Sequence, residues 1–101
     1  MNKYGARRAN GSASAKEAAR KAELELYQKV GAIRDLKFQT KFELIPKCGK
    51  ERAVTYTCDF DYIDCDTGQR VVEDSKGFKT QQYIIRRKLL NWIHHIQVLE
   101  T

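Results

Sequence analysis

The spacing of apolar residues along this 101-residue chain first follows a helical period. Strong helix formers run from Ser14 to Val30, with Ser14 as the N-cap and Glu17 completing a capping box. Gly31 then supplies a C-terminal stop. We expect the buried stripe of this helix to recur at helical spacing. Its predicted members are Ala19, Ala22, Leu26 and Val30.

Strict alternation of apolar and polar residues then replaces the helical period. It runs from Leu36 to Leu44 and predicts a half-buried strand that ends at Pro46. A second strand is predicted at residues 53–63 and a third at residues 69–76, with the turn residues Asp-Thr-Gly between them. We expect one face of the second strand to carry Val54, Tyr56, Cys58, Phe60 and Tyr62, and the other to carry Thr55, Thr57, Asp59 and Asp61.

A second helix is predicted at about Thr80–His94, with Thr80 as its cap, and residues 96–99 favour a short final strand. The order is helix, three strands, helix, strand (αβββαβ). This order predicts an α/β fold of the α+β kind, a mixed sheet flanked by helices. We interpret Trp92 as a core residue rather than a base-stacking platform. The expected core side of the second helix comprises Tyr83, Ile85, Leu89, Trp92 and Ile93.

Composition indicates one domain at residues 14–101, preceded by a flexible basic arm at residues 1–13. The net charge of +6 suits a polyanionic partner such as a nucleic acid. No apolar run approaches the roughly 20 residues that a membrane span needs, so no membrane association is expected. The odd number of cysteines and their spacing favour reduced thiols in a cytoplasm. The three cysteines are Cys48, Cys58 and Cys65.

Two acidic clusters joined by the turn are the candidate chemistry. A four-residue loop, Cys65–Gly68, would pair Asp59 with Asp74 on one face of the hairpin, whereas a three-residue loop would shift the pairing by one. Lys76 follows Asp74 by two residues and so shares its face. Two carboxylates and an amine are the minimum equipment for metal-assisted hydrolysis of a phosphodiester.

This order of elements, with an acid on the first helix, Asp-Phe on the second strand and Asp-Ser-Lys on the third, resembles the PD-(D/E)XK nuclease superfamily. The chain is closer still to small phage-encoded proteins described as Holliday-junction-resolvase-like. Cys58 departs from the pattern, because the superfamily often has a proline before the strand acid. The matching segments are residues 1–6, 14–18, 31–39, 42–46, 53–62 and 72–77.

The resemblance implies a restriction-endonuclease-like core and a role for each candidate residue. Asp59 and Asp74 would bind Mg²⁺, or Mn²⁺ as a substitute. Lys76 would orient or deprotonate a water molecule or neutralise the phosphate, and Glu17 would complete the acidic cluster as a ligand or an orienting group. Glu23 is an alternative to Glu17 on the same helix, as is Glu25.

Several of these positions have an ordinary structural explanation. An acid-x-lysine triplet arises easily by chance, and Asp35-Leu36-Lys37 is another example. Asp61 shares the face of Asp59 and is a candidate to replace or assist it. We expect Glu73, on the opposite face from Asp74, to be solvated or paired. The basic residues of the second helix region are either phosphate contacts or a solvated face. They are Lys79, Arg86 and Arg87.

We therefore expect a Mg²⁺-dependent DNA endonuclease, encoded by a phage or prophage and acting in the host cytoplasm. The preference for branched DNA comes from the resemblance alone, and cutting two strands of a junction predicts a homodimer. One alternative is a noncatalytic nucleic-acid-binding module. Another is a repair or restriction-type nuclease with a different DNA substrate, although 101 residues leave little room for a domain that reads bases.

Overall fold

Two helices and six strands form the described part of the computed structural model, residues 11–75 and 78–101. Residues 1–10 of the predicted arm, and Lys76 with its neighbour Gly77, lie outside the described residues. Neither described helix combines the length and apolarity that crossing a bilayer requires. The elements are α1 (Gly11–Lys29), β1 (Ile33–Phe38), β2 (Lys41–Ile45), β3 (Val54–Thr57), β4 (Phe60–Asp64), β5 (Arg70–Asp74), α2 (Gln81–His94) and β6 (Leu99–Glu100).

The strands form one mixed sheet and one two-stranded ribbon. The mixed sheet has the order β1-β4-β5-β6, in which only β5 and β6 are parallel. Parallel neighbours need a crossover connection, and α2 supplies it between β5 and β6. β2 and β3 pair with each other in the antiparallel ribbon. This arrangement confirms the α+β class with a mixed sheet and helices.

Both long strands predicted from alternation are interrupted, so the prediction of two continuous strands is wrong. The first breaks at Gln39, whose φ of 56° lies in the left-handed region that non-glycine residues seldom adopt. The second breaks at Cys58 and Asp59. The breaks lie side by side, because the Gln39 N–H donates to the Asp59 carbonyl at 3.1 Å and the Cys58 N–H donates to that of Thr40 at 3.0 Å. Alternation predicts which way side chains face, but it does not predict such a bend.

The bend divides the core in two and corrects the predicted facing of the second strand. Tyr56 and Cys58 pack on the side of α2, whereas Phe60 and Tyr62 pack on the side of α1. The α2-side core consists of Phe42, Leu44, Tyr56, Cys58, Val72, Tyr83 and Leu90. The α1-side core consists of Leu24, Ile33, Phe60 and Tyr62.

Helix α1 starts earlier than predicted. It includes Gly11, so Ser14 lies inside the helix rather than at its N-cap and the capping-box prediction is wrong. Alanine-rich sequence allows this, since alanine has the highest helix propensity and serine inside a helix is only mildly unfavourable. Residues 11–13, assigned to the flexible arm from sequence, are therefore helical.

The buried face of α1 also differs from the prediction. Leu24 is fully buried, whereas Leu26 is 56% exposed and Val30 is 70% exposed. Leu24 lies two residues from Leu26, about 200° around the helix, so the predicted stripe faces solvent. Helical spacing alone did not reveal which of the two sides meets the sheet.

The predicted stop of α1 at Gly31 is confirmed. Gly31 has a φ of 87°, and its N–H donates to the Gln28 carbonyl at 3.1 Å. The Ala32 N–H donates to the Tyr27 carbonyl at 2.8 Å. These two bonds form the Schellman motif, which satisfies carbonyl groups that the helix end leaves open.

Helix α2 has the predicted cap, and its predicted core side is confirmed only in part, at Tyr83 and Leu89. The Thr80 side chain accepts a hydrogen bond from the Tyr83 N–H at 3.1 Å. Tyr83 and Leu90 are the buried residues of this helix, and Trp92 is 78% exposed. The interpretation of Trp92 as core is therefore wrong, because two residues beyond Leu90 places its side chain on the far side of the helix. Ile85 is exposed as well.

All three cysteines are free thiols, as expected from their spacing. Cys48 and Cys65 are exposed, whereas Cys58 lies in the α2-side core. Burial raises the pKa of the Cys58 thiol to about 11, so it stays protonated near neutral pH.

We expect Leu24→Ala to lower the free energy of unfolding by about 2–5 kcal/mol, because it removes a fully buried side chain and leaves a cavity. Leu26→Ala is the matched control, with an expected change within about 0.5 kcal/mol. Urea denaturation followed by circular dichroism measures both. A larger loss of unfolding free energy for Leu26→Ala than for Leu24→Ala would instead support the buried face that was predicted from the sequence.

Candidate active site

The β4–β5 hairpin has the register that a four-residue loop produces. Asp61 pairs with Val72 across the strands, and the Asp64 N–H donates to the Gln69 carbonyl at 2.9 Å. Successive residues of a strand point to opposite faces. Glu73 therefore points to the α1 side of the sheet and Asp74 to the α2 side.

Asp59 lies at the break between β3 and β4, where its backbone and side chain are held together. Its N–H donates to the Glu73 carbonyl at 3.1 Å, and its own carbonyl accepts from Gln39. Its carboxylate oxygen Oδ2 accepts a hydrogen bond from the Ser75 N–H at 2.8 Å. The bend thus brings the half-buried Asp59 carboxylate beside the residue that directly follows Asp74.

Asp74 is a fully buried acid at the end of β5. Its Oδ2 accepts a hydrogen bond of 2.5 Å from the Tyr56 hydroxyl. A buried carboxylate needs such donors, because burial without them is strongly unfavourable. Burial is also the main cause that raises the pKa of Tyr56, and the bond to Asp74 raises it further. Tyr56 therefore remains protonated and able to donate.

A cavity of about 350 Å³ opens in front of Asp74. Helix α2 begins at this cavity with Thr80, and the first turn of a helix carries partial positive charge. Arg86 and Phe78 are exposed at its border. The cavity therefore combines a buried acid with an exposed arginine. Its lining residues are Thr55, Tyr56, Thr57, Asp74, Phe78, Thr80, Gln82, Tyr83 and Arg86.

The three predicted phosphate contacts have different surroundings. Lys79 and Arg87 both pair with Glu100, at 3.4 Å and 2.8 Å. The Tyr83 hydroxyl also donates to Glu100 at 2.7 Å. This hydrogen bond lowers the pKa of the Glu100 carboxyl most, and the hydrogen bonds from Arg87 and Lys79 lower it further. Arg86 forms no ion pair in the part of the chain that the structure describes, and it borders the cavity.

Glu17 and its alternatives, Glu23 and Glu25, lie on α1, and the structure gathers none of them with the two aspartates. Glu17 is half-buried in the second turn, and Glu23 pairs with Arg20 at 3.0 Å. Across residues 11–75 and 78–101, no group of three acidic, histidine or cysteine side chains is placed to hold one metal ion. Glu25 is exposed. Lys76, the predicted fourth member of the site, lies outside the described residues.

Sequence reasoning missed how strongly Glu73 is held. Glu73 is fully buried and accepts two hydrogen bonds from Arg20 of α1, at 2.9 Å and 2.7 Å, and another from the Tyr62 hydroxyl. The expectation of pairing is confirmed, and that of solvation is wrong. The Glu73 carboxylate is the main cause that raises the pKa of Arg20 above its ordinary value. The hairpin register could have predicted the burial of Glu73, because it pairs Glu73 with Phe60 on a face that carries aromatic side chains.

Asp61 is engaged away from Asp59. It is buried, and Arg70 donates two hydrogen bonds to it at 2.8 Å and 2.6 Å. The Arg70 guanidinium also lies over the Phe42 ring, 4.9 Å from its centroid. A bidentate arginine–carboxylate pair is geometrically specific. We therefore assign Asp61 a structural role rather than that of a metal ligand in place of Asp59.

A family model described as "Protein of unknown function (DUF1064)" matches residues 1–99. The chain belongs to this family. Comparisons with curated proteins and with solved structures found no match. The DUF1064 match extends over every residue of the candidate site, including Lys76.

Arg20→Met should lower the free energy of unfolding by about 3–5 kcal/mol, because it leaves the buried Glu73 carboxylate without its cation. Arg34→Met is the control, since the Arg34–Asp35 pair is exposed at both ends and such pairs contribute about 0–1 kcal/mol. Urea denaturation compares the two. Equal, small losses would mean that the Arg20 pair does not anchor α1.

Proposed function

We propose that this chain is a metal-dependent DNA endonuclease that hydrolyses phosphodiester bonds. The observation that carries the proposal is the hydrogen bond from the Ser75 N–H to the Asp59 carboxylate, which brings that acid beside the end of β5 where Asp74 faces a cavity. The mixed sheet with its parallel β5–α2–β6 crossover gives further support, because it agrees with the restriction-endonuclease-like core that the sequence resembles.

The two aspartates are the residues that would hold a magnesium ion in this proposal. Mg²⁺ is usually bound by one or two carboxylates together with waters and substrate phosphates, so a third acid is not required. An ionised carboxylate has about four acceptor positions, and accepting a hydrogen bond does not prevent coordination. Asp59 and Asp74 would hold Mg²⁺, or Mn²⁺ in its place. When bound, the ion would lower the pKa of a water molecule and offset charge on the phosphate.

The other residues have supporting roles in this proposal. Arg86 neutralises a substrate phosphate at the border of the cavity, and the first turn of α2 adds partial positive charge there. Tyr56 holds the Asp74 carboxylate in one orientation. Lys76 orients the attacking water or neutralises the phosphate, as the resemblance implies. Glu17 receives no role in this proposal, because the structure does not gather it with the two aspartates among the described residues.

Lys79 and Arg87 bind phosphates farther along the DNA in the same proposal. Both are paired with Glu100 in the free protein, so DNA would have to replace that partner. A surface ion pair contributes little stability, so a phosphate can displace the carboxylate at small cost. These contacts supply affinity without reading the base sequence.

Branched DNA and a homodimer belong to the finer part of the proposal. Cutting two strands of a four-way junction requires two active sites, and one chain of 101 residues offers one candidate site. A phage or prophage origin and action in the host cytoplasm rest on the resemblance. A repair or restriction-type nuclease would use the same residues on another DNA substrate.

A noncatalytic nucleic-acid-binding module is the second candidate. The net charge of +6 favours it, because charge alone supports nonspecific binding. It predicts DNA binding without metal-dependent cutting. The two acids are its weak point, since carboxylates facing a phosphate would repel it unless a cation lies between them.

Wild-type protein should nick supercoiled plasmid and a labelled four-way junction with Mg²⁺ or Mn²⁺ and not with EDTA. Asp74→Asn and Lys76→Ala should each reduce the rate at least about 100-fold, because they remove a metal ligand and a charge at the reacting phosphate. Asp66→Asn and Lys50→Ala, at exposed loop positions, are the matched controls.

Circular dichroism of each variant confirms that the fold survives, which matters most for the buried Asp74. Tight DNA binding without cleavage under any of these metals would contradict the enzyme and support the binding module. A preference for the junction over the duplex would support resolution of branched DNA.

A further inference from the structure

Phe78 is the most exposed large hydrophobic side chain of the described residues, at 81%. Single exposed apolar residues are common on protein surfaces, so exposure alone decides nothing. Its position is informative, because Phe78 borders the cavity that has Asp74 in its wall. The exposed ring therefore lines the same cavity as the buried acid.

The residues beside Phe78 provide the other chemistry that a nucleotide requires. Gln82 and Arg86 line the same cavity and lie four residues apart on α2, so their side chains are neighbours on one helix face. Arginine contacts phosphate, a side-chain amide pairs with base edges, and an aromatic ring stacks on a base. These three kinds of group line one cavity.

The surface around Trp92, the other strongly exposed aromatic residue, lacks this combination. Its groove is lined by Ile85, Lys88 and Leu89 together with Trp92 itself, so neither a side-chain amide nor an acid belongs to its lining. Phe78 therefore differs from the other strongly exposed aromatic residue in the groups that surround it. Trp92 also supplies a matched control for mutation.

We propose that Phe78 stacks on an unpaired base, and that the substrate class is DNA with unpaired nucleotides next to the bond that is cut. In a continuous duplex both faces of every base are covered by neighbouring bases, so a side chain cannot stack without separating them. Single strands, flaps and branch points present an open base face. The inference rests on the proposed function, because it takes the cavity beside Asp74 as the place of cleavage.

Binding is measured first in EDTA, where no hydrolysis occurs, by fluorescence anisotropy of labelled single-stranded, splayed-arm and fully duplex oligonucleotides of one sequence. Phe78→Ala should weaken binding of the first two about 5- to 150-fold, the range expected for losing one stacked base, and leave duplex binding unchanged. Phe78→Trp should retain the wild-type affinity. Trp92→Ala should bind all three DNAs as wild type does.

A second readout reports stacking directly. Phe78→Trp combined with Trp92→Phe leaves one tryptophan, placed at the cavity. Its fluorescence should be quenched by a splayed-arm DNA and not by the same DNA with an abasic nucleotide at the branch. Equal quenching by the two DNAs, with and without the abasic nucleotide, would overturn the inference.

The outcomes separate this inference from the proposed function. Equal weakening of all three DNAs by Phe78→Ala, or no weakening of any, overturns stacking even if Mg²⁺-dependent cutting is found. Selective weakening together with quenching supports stacking. If no DNA is then cut, the nuclease proposal fails while the binding of unpaired bases stands.

Discussion

The pleat of strand β5 is the constraint on which the rest of this structure depends. It carries two consecutive acids, and the period of a strand sends Glu73 and Asp74 to opposite faces of the sheet. Each is fully buried and therefore needs its own donors. Arg20 and Tyr62 serve Glu73 on the α1 side, and Tyr56 serves Asp74 on the α2 side. One acid thereby ties a helix to the sheet, and the other faces a cavity.

The bend in the neighbouring strands gives the second acid of the site its place. A straight strand would continue its ladder past residue 59, but the break at Cys58 and Asp59 lets the Asp59 carboxylate accept from Ser75 instead. The same break transfers the chain from one core to the other, with Cys58 packed beside α2 and Phe60 beside α1. Packing and site geometry thus share one local distortion, so a change that straightens the bend should disturb both.

Some local signals in the sequence predicted local structure, although the capping box at Ser14 did not. The Gly31 stop, the Thr80 cap and the hairpin register depend on a few neighbouring residues, and the structure confirms the first two and selects the four-residue loop. The buried face of α1 and the exposure of Trp92 depend on which side of a helix meets the sheet, and spacing does not specify that. The Arg20–Glu73 pair joins residues 53 positions apart, beyond the reach of any single-segment pattern. The pairing of the hairpin was predicted from the sequence, whereas the tyrosine that holds Asp74 was not.

We propose that the two adjacent acids have different tasks, Glu73 in stability and Asp74 in phosphodiester hydrolysis. The most direct measurement compares Glu73→Gln with Asp74→Asn, recording for each the thermal unfolding midpoint and the rate of Mg²⁺-dependent cleavage of branched DNA at a temperature where both are folded. The account predicts that Glu73→Gln unfolds at a lower temperature and still cuts, whereas Asp74→Asn does not cut although it is folded. Loss of cleavage in Glu73→Gln with full activity in Asp74→Asn would contradict it.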